Sequence, residues 1–311
     1  MTERFLKTGV FVLAMLLASA AFGCYRPSEP AVEVKTRSFT DDLGRKVRLP
    51  EKIDSVISLA PNLTEIIFAV GGGERLVGVT TFCNYPQGAA SIRKVSDTLT
   101  PNIESIVALR PQVVFVSTSS QLEAFAKVLS DQKIVVFVTA PNGLDDIYKS
   151  IGVIGEILGT SDRAEAVIRE MRGRVELVEL GVSDRNSGKE RPKVFVQIDK
   201  NSLYTIGRES FITDIITRAG GVSATAELAT AYPKLSKETA LVLNPDVIIL
   251  SVSDDNREAN EVFRNSPAVK NGRVYRVSAD LLSRPGPRIV AALELIAANL
   301  AVGPSKIVTP K

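Results

Sequence analysis

Histidine and tryptophan are missing from this chain of 311 residues, and cysteine occurs only twice, at Cys24 and Cys83. Without histidine the chain cannot form most catalytic triads, the usual zinc sites or a His-ligated haem site. Two cysteines provide no framework of disulfides. Aromatic residues make up only 6% of the composition, so a place where they gather is informative.

The sequence also lacks a dense run of lysine and arginine and a nucleophile motif. The net charge is +3, and three charged residues fall in the first seven positions, so the rest of the chain has no positive stripe to neutralise nucleic-acid phosphates. G-x-S-x-G is absent. The glycines at 71–73 are not followed by Lys-Ser or Lys-Thr, and they indicate a helix end rather than a phosphate loop. We therefore predict neither enzymatic activity nor a nucleic-acid partner.

Residues 1–24 are predicted to be an export signal. "MTERFLK" is charged and "GVFVLAMLLASAAF" is apolar, but this run is too short to span a bilayer comfortably. Cys24 follows "AFG", which resembles a lipobox and would make Cys24 a lipidated N-terminus. The same residues fit cleavage by ordinary signal peptidase, and Ala21 stands where a lipobox usually has leucine. Both alternatives predict a periplasmic or extracytoplasmic protein, and the first attaches it to the membrane through that lipid alone.

Residues 25–37 are rich in proline and polar side chains and are predicted to be a tether. After the tether, apolar strands alternate with helical segments, except over 143–183, where the spacing is helical throughout. Such alternation is typical of parallel sheets covered by helices on both faces. We predict an α/β fold of two Rossmann-like lobes, 38–142 and 184–311, each with a central parallel sheet and joined by a long helix.

Two local patterns make finer predictions. Within the linking segment, "GTSDRAE" indicates the end of one helix and the start of another, with Ser161 as its N-cap. In the second lobe, "REANEVFRN" at 257–265 is predicted to be a helix.

The pattern E-x4-L-x-P-x-V-x3-S occurs twice, in "NIESIVALRPQVVFVS" and in "SKETALVLNPDVIILS", at a constant offset of 134 residues. It predicts the same short helix and buried strand in each lobe. Glu104 opens the first helix and Glu238 the second. These glutamates could simply favour the helix N-terminus. Alternatively, one carboxylate at the same site on each lobe suits docking onto a two-fold partner that offers an arginine or lysine to each.

The stretches "SLAPNLTEIIFAVGGGERLVGVTTFCNYP", "PNIESIVALRPQVVFVS", "YPKLSKE" and "RPGPRIVAALE" resemble the periplasmic cobalamin-binding protein family of vitamin-uptake ABC transporters. More widely they are similar to binding proteins for siderophores, haem and corrinoids, which share a long backbone helix. The resemblance covers about residues 34–300. It implies a monomer without catalysis or cofactor, of the class III periplasmic binding protein type, that captures cobalamin or a related corrinoid and delivers it to a permease dimer. It also implies that Glu104 and Glu238 form salt bridges with arginines of that dimer.

In such proteins the ligand lies between the lobes, where loops at the carboxyl ends of the strands meet. From the first lobe, the resemblance places "TTFCNYP" at the cleft. Phe82 and Tyr85 would offer aromatic faces to a flat macrocycle, and Asn84 would offer an amide to its carboxamides. The alternative for both aromatics is ordinary packing.

From the second lobe, the resemblance places Tyr204 and Tyr232 as ligand-facing aromatics. "SADLLSRPGPR" matches the loop from which Asp280 and Arg284 would reach ligand amides. Arg284 could instead form a structural ion pair, and Arg288 is expected to be structural.

Three further points bear on the ligand. Thr98 stands where the cobalamin binder has a large aromatic, which could weaken binding by roughly 1 kcal/mol or more. A ferric siderophore or haem is the alternative ligand, although siderophores usually require several cations, of which only Arg284 and Arg208 are evident, and haem would need a tyrosine as axial ligand. Cys83 is expected to be a partly buried thiol without a special role, with a place on the cleft wall or cobalt ligation as alternatives.

Overall fold

The computed structural model describes residues 35–96, 102–117, 122–188 and 190–302. The predictions made for residues 1–24, including Cys24, for most of the tether and for Thr98 lie outside these residues. In the described ranges, no helix combines the length and the apolar character that crossing a membrane requires.

The first lobe contains an antiparallel strand pair and a five-stranded sheet. The pair, β1 (Thr36–Thr40) with β2 (Lys46–Pro50), has no counterpart in the sequence analysis. All neighbouring strands of the sheet are parallel, in the order β5-β4-β3-β6-β7. The bounds are β3 (Val56–Ser58), α1 (Pro61–Ala69), β4 (Leu76–Thr80), β5 (Lys94–Ser96), α2 (Ile103–Ala108), β6 (Val113–Ser117), α3 (Leu122–Asp131) and β7 (Val135–Thr139).

Two helices follow this sheet, and a four-stranded parallel sheet comes after them, in the order β11-β10-β8-β9. The bounds are α4 (Leu144–Leu158), α5 (Ser161–Asn186), β8 (Lys193–Gln197), α6 (Phe211–Arg218), β9 (Val222–Ser223), α7 (Lys237–Leu243), β10 (Val247–Val252), α8 (Pro267–Lys270), β11 (Val274–Ser278), α9 (Ala279–Leu282) and α10 (Ile289–Ala301). The predicted α/β class is confirmed. In the first sheet the strand order is that of a doubly wound fold, with its switch point between β3 and β6.

The linking helices pack against both lobes. The helix α5 buries a single seam of Ala164, Met171, Val175 and Val182, since its other faces are polar. Arg218 of α6 lies between the two linking helices and bonds Asp145 of α4 at 3.3 Å and Glu179 of α5 at 2.7 Å.

A second ion pair ties α5 to the last helix. The Arg174 guanidinium donates two hydrogen bonds to the Glu294 carboxylate, at 2.8 and 2.7 Å. Because both linking helices are held to the second lobe in this way, we expect only small hinge motion between the lobes.

Two local predictions were wrong. Thr160, not Ser161, is the N-cap of α5, because Gly159 ends α4 in the left-handed region at φ 66° and the new helix starts one residue earlier. The segment 257–265 contains only a 3-10 turn, Glu261–Phe263. The backbone N–H of Asn260 donates to Gln197 Oε1 at 2.8 Å, which ties this segment to the end of β8 and prevents a regular helix.

The repeated sequence pattern builds the same structure twice. Asn102 caps α2 and Ser236 caps α7, each by accepting a hydrogen bond from the backbone N–H three residues later, at 2.9 and 3.1 Å. Both copies end in the left-handed region, at Arg110 with φ 47° and Asn244 with φ 43°, which are again 134 residues apart. The helix and strand repeat predicted from the sequence is therefore confirmed, down to the turn that joins them.

Candidate ligand-binding cleft and surface glutamates

A cavity of about 400 Å³ lies between the lobes. On the first-lobe side it is lined by Leu59, which follows β3, by Ser117, which ends β6, and by Ala140, which follows β7. The carboxyl ends of β3 and β6 flank the switch point of the sheet, where ligands of doubly wound folds bind. Tyr232 and Ser283 are among the residues that line it from the second lobe.

In the described parts of the chain, four aromatic side chains are exposed: Phe82 (55%), Tyr85 (46%), Tyr204 (42%) and Tyr232 (47%). These are the four that the sequence analysis placed at the ligand. Leaving a large apolar side chain exposed forgoes about 1.5–3 kcal/mol of burial free energy. Four such residues are therefore better explained by a binding surface than by the core packing that was their alternative.

Neighbouring segments of the second lobe hold Tyr204 and Tyr232. The N–H of Thr205 donates to Pro233 O at 3.0 Å, and that of Gly207 donates to Ala231 O at 2.9 Å. Burial raises the pKa of Tyr232, and a hydrogen bond with Ser210 lowers it in part. The Tyr232 phenol is therefore neutral at physiological pH, which does not favour its use as a phenolate ligand of haem iron.

The loop with Phe82 and Asn84 is anchored by the residue between them. Cys83 is 1% exposed, and its thiol contacts the hydroxyls of Thr64 at 3.1 Å and Thr80 at 3.2 Å. Cys83 thus lies in the core rather than on the cleft wall. Because it points inward, its two neighbours stay at the surface.

Three of the predicted polar ligand residues bond one another across the lobes. Arg284 donates to Asn84 Oδ1 at 2.8 Å and also bonds the Asp280 carboxylate. The Asn84 amide in turn donates to Asp280 Oδ2 at 3.0 Å. The structure thus brings these three residues together, as the sequence analysis required, and gives Arg284 the ion pairs of its structural alternative.

Glu65, on α1, was not identified from the sequence. Its carboxylate is 3% exposed and accepts a hydrogen bond from Arg284 at 3.0 Å and one from Arg288 Nε at 2.9 Å. The bond to Glu65 raises the pKa of Arg288, whose guanidinium also lies 4.0 Å from the centre of the Tyr85 ring. Arg288 is thus structural, as expected. We call Glu65, Asn84, Asp280, Arg284 and Arg288 the inter-lobe cluster.

Glu104 and Glu238 occupy equivalent surface positions. Each is exposed in the first turn of its helix, and neither carboxylate forms an ion pair with another described residue. Hydrogen bonds from its own backbone N–H and from Ser236 lower the pKa of Glu238, so it carries a full charge at neutral pH. Each lobe thus presents one charged carboxylate at the carboxyl edge of its sheet.

The sequence profile of the periplasmic binding protein family matches residues 56–281. The chain belongs to this family. An uncharacterised ABC transporter substrate-binding lipoprotein, YvrC of Bacillus subtilis, is 29% identical, with 94% of this chain and 97% of the relative covered. A cobalamin-binding protein of Halobacterium salinarum is 28% identical, with 94% and 84% covered.

Solved structures agree on the fold. The vitamin B12-binding protein BtuF of Vibrio cholerae superposes with a TM-score of 0.70 at 25% identity, over 81% of this chain and 98% of BtuF. A haem-binding protein, BhuT, superposes with the same TM-score at 24% identity, so the fold does not distinguish between the two ligands. The chain is a substrate-binding protein of the superfamily that serves ABC importers of cobalamin, haem and siderophores. The proteins of this class are not enzymes, and they work outside the cytoplasm.

Proposed function

We propose that this protein captures cobalamin or a related corrinoid in the inter-lobe cleft and delivers it to the permease dimer of an ABC importer. The exposure of Phe82, Tyr85, Tyr204 and Tyr232 is the observation that carries the proposal. Aromatic faces from both lobes suit a flat macrocycle, which gains burial area and ring contacts from each. The names of the cobalamin-binding relatives support the same ligand.

The polar groups fit this ligand as well. Corrinoids carry side-chain carboxamides, which both donate and accept hydrogen bonds. Asn84 and Asp280 are exposed at the cleft and offer the complementary donor and acceptor atoms. We assign Phe82, Asn84, Tyr85, Tyr204, Tyr232, Asp280 and Arg284 to the ligand site.

Delivery requires a docking surface, and we assign it to Glu104 and Glu238. We further propose that the protein acts as a monomer and is anchored by a lipid on Cys24. Support for the anchor comes from the "AFGC" sequence and from the B. subtilis relative, whose name describes a lipoprotein.

Titration tests the ligand directly. We expect cyanocobalamin to bind the chain without residues 1–24 saturably, with a Kd below about 1 µM, which corresponds to roughly −8 kcal/mol. Calorimetry or tyrosine fluorescence would report the binding. Haemin and a ferric hydroxamate are the comparison ligands. Binding of one of these without binding of cyanocobalamin would keep the importer and refute the corrinoid.

Removing aromatics from the second lobe should weaken binding without unfolding the protein. The double change Tyr204→Ala with Tyr232→Ala removes two ring contacts of about 0.5–1.5 kcal/mol each, together with their buried area. We expect the Kd to rise by on the order of 10- to 100-fold.

Leu180→Ala is the matched control. Leu180 is exposed on α5 and does not line the cleft, so this variant should keep the wild-type Kd. An unchanged Kd for the double tyrosine variant would show that the ligand lies elsewhere.

A further inference from the structure

The inter-lobe cluster is electrically balanced. It contains two guanidinium groups, Arg284 and Arg288, and two carboxylates, Glu65 and Asp280. Every cation bonds a carboxylate: Arg284 bonds both acids, and Arg288 bonds Glu65. Although two arginines reach into this region, the cluster therefore offers no net positive charge.

This cluster adjoins the cavity. Asn62, in the turn of α1 before Glu65, donates to Pro285 O at 3.3 Å, and both residues line the cavity wall. Pro285 directly follows Arg284, and Ser283, which precedes it, is also part of the wall. The charge of the cluster therefore acts on whatever fills this end of the cleft.

The part of the cluster that a ligand meets is negative or neutral. Arg284 is 9% exposed and Glu65 is 3% exposed, whereas the Asp280 side chain is 43% exposed. A ligand thus reaches the Asp280 carboxylate and the Asn84 amide before it reaches either guanidinium. Asp280 can only accept hydrogen bonds, so an incoming carboxylate would meet repulsion and no donor there.

The cavity wall points the same way. Of its described residues, Glu209 is the one that carries a charge, and that charge is negative. A ligand carboxylate in the cavity would therefore find no unpaired cation among the described lining residues. An uncharged carboxamide would lose nothing, because its N–H groups can donate to the acids.

We propose that Glu65 and Asp280 make the cleft selective for uncharged, carboxamide-bearing ligands and against ligands that present carboxylates. Asp280 contacts the ligand, and Glu65 is a positioning residue that holds and neutralises the two arginines. The inference rests on the proposed function and names the chemical class that the site accepts. Glu65 appears in none of the site predictions made from the sequence.

A matched pair of ligands tests this selectivity. The first is cyanocobalamin, and the second is the set of its monocarboxylic derivatives, in each of which one side-chain carboxamide has been hydrolysed. The two differ by a single charge and hardly in size. We expect the wild type to bind at least one derivative about tenfold or more weakly than cyanocobalamin at pH 7.

Two variants identify the residues responsible. Asp280→Asn should reduce the ratio of the two Kd values to about threefold or less, because the asparagine can donate to a carboxylate. Glu65→Gln frees one positive charge and should reduce or reverse the ratio. A merely structural role for Glu65 would weaken both ligands equally and leave the ratio unchanged.

Glu294→Gln is the control for Glu65. It removes a carboxylate that also bonds an arginine, Arg174, outside the cleft, and it should leave the ratio as in the wild type. Should Glu65→Gln fail to fold, Asp280→Asn carries the test alone, since its side chain is largely at the surface.

The possible failures can be told apart. Equal binding of cyanocobalamin and all its monocarboxylic derivatives by the wild type would overturn the selectivity and leave the corrinoid function standing. A ratio that both variants leave unchanged would overturn the roles of Glu65 and Asp280. Binding of neither corrinoid, with binding of the dicarboxylate haemin, would overturn the proposed ligand and the selectivity together.

Discussion

Charge reversal at the two repeat glutamates, Glu104→Lys with Glu238→Lys, should abolish ligand-dependent uptake and leave the affinity for the ligand unchanged. Both carboxylates are exposed and lie outside the cleft lining, so the change should not disturb binding. If each meets an arginine of the permease, reversal replaces two attractions by two repulsions. We expect the affinity for the permease to fall on the order of a hundredfold or more.

The measurement is uptake of radiolabelled cobalamin by cells or vesicles that contain the permease, alongside ligand titration of each purified variant. Glu170→Lys with Glu176→Lys provides a control with the same change of net charge, placed on exposed positions of α5. Normal uptake by the control and none by the test variant would support docking through the two glutamates.

Survival of uptake would instead leave helix-end stabilisation as the role of these residues. The alternative makes its own prediction, because lysine at a helix N-terminus opposes the helix dipole. Both variants of Glu104 and Glu238 would then lower the midpoint of thermal unfolding slightly, without an effect on transport. Comparing the two readouts separates docking from capping.

The repeat was predictable because its information is local. A helix N-cap, a glutamate in the first turn, a proline and an apolar strand each follow from a few adjacent residues, and the same order returned 134 residues later. The structure adds what local pattern could not supply. Arg110 adopts a left-handed backbone that its residue type does not indicate, whereas Asn244 at the equivalent position is a residue type that favours it.

The inter-lobe cluster shows where sequence reasoning stopped. Within "NLTEIIF", Glu65 has the sequence of a polar residue on a helix, and helices of this kind usually direct such residues to solvent. Its partners Arg284 and Arg288 follow more than 200 residues later, beyond the reach of any periodicity. The invariable signal of a buried charge is its partner, and that pairing exists only in three dimensions.

A similar long-range contact explains the helix that was predicted wrongly over 257–265. The sequence has helical spacing, but the buried Gln197 amide fixes the backbone N–H of Asn260, and Asn256 donates to Gln197 O at 2.9 Å. These bonds satisfy the backbone at the end of β8 and outweigh local preference. In contrast, the four cleft aromatics could be predicted, since their place next to strand ends was visible in the sequence.

Gly207→Ala should cause a large loss of stability and of ligand binding together. A Cβ at Gly207 would lie 1.9 Å from Thr230 O and 2.7 Å from Leu228 O, far inside the 3.0 Å that real Cβ atoms observe. Both obstacles are backbone atoms, so no rotamer change can relieve the contact. The segment that carries Tyr232 would have to move away.

The hydrogen bonds at this point show what that movement costs. Gly207 N–H donates to Ala231 O at 2.9 Å, and Arg208 N–H donates to Leu228 O at 2.7 Å. Separating the segments strains or breaks both, at about 0.5–1.5 kcal/mol each, in addition to about 1–3 kcal/mol for overpacking. We expect the free energy of unfolding to fall by about 2–6 kcal/mol in denaturant titrations of the mature chain.

Gly173→Ala provides the opposite expectation from the same substitution. Gly173 lies inside α5 with open space around the position of a Cβ, and alanine is favoured over glycine in a helix by about 1 kcal/mol. This variant should be slightly more stable than the wild type and should bind the ligand normally. If Gly207→Ala also proved neutral, the close approach of 205–208 to 228–233 would be incorrect, and with it the placement of Tyr204 and Tyr232 at the cleft. If its stability fell and its affinity did not, the tyrosines would be correctly placed but dispensable, and the ligand would depend on Phe82, Tyr85 and the inter-lobe cluster.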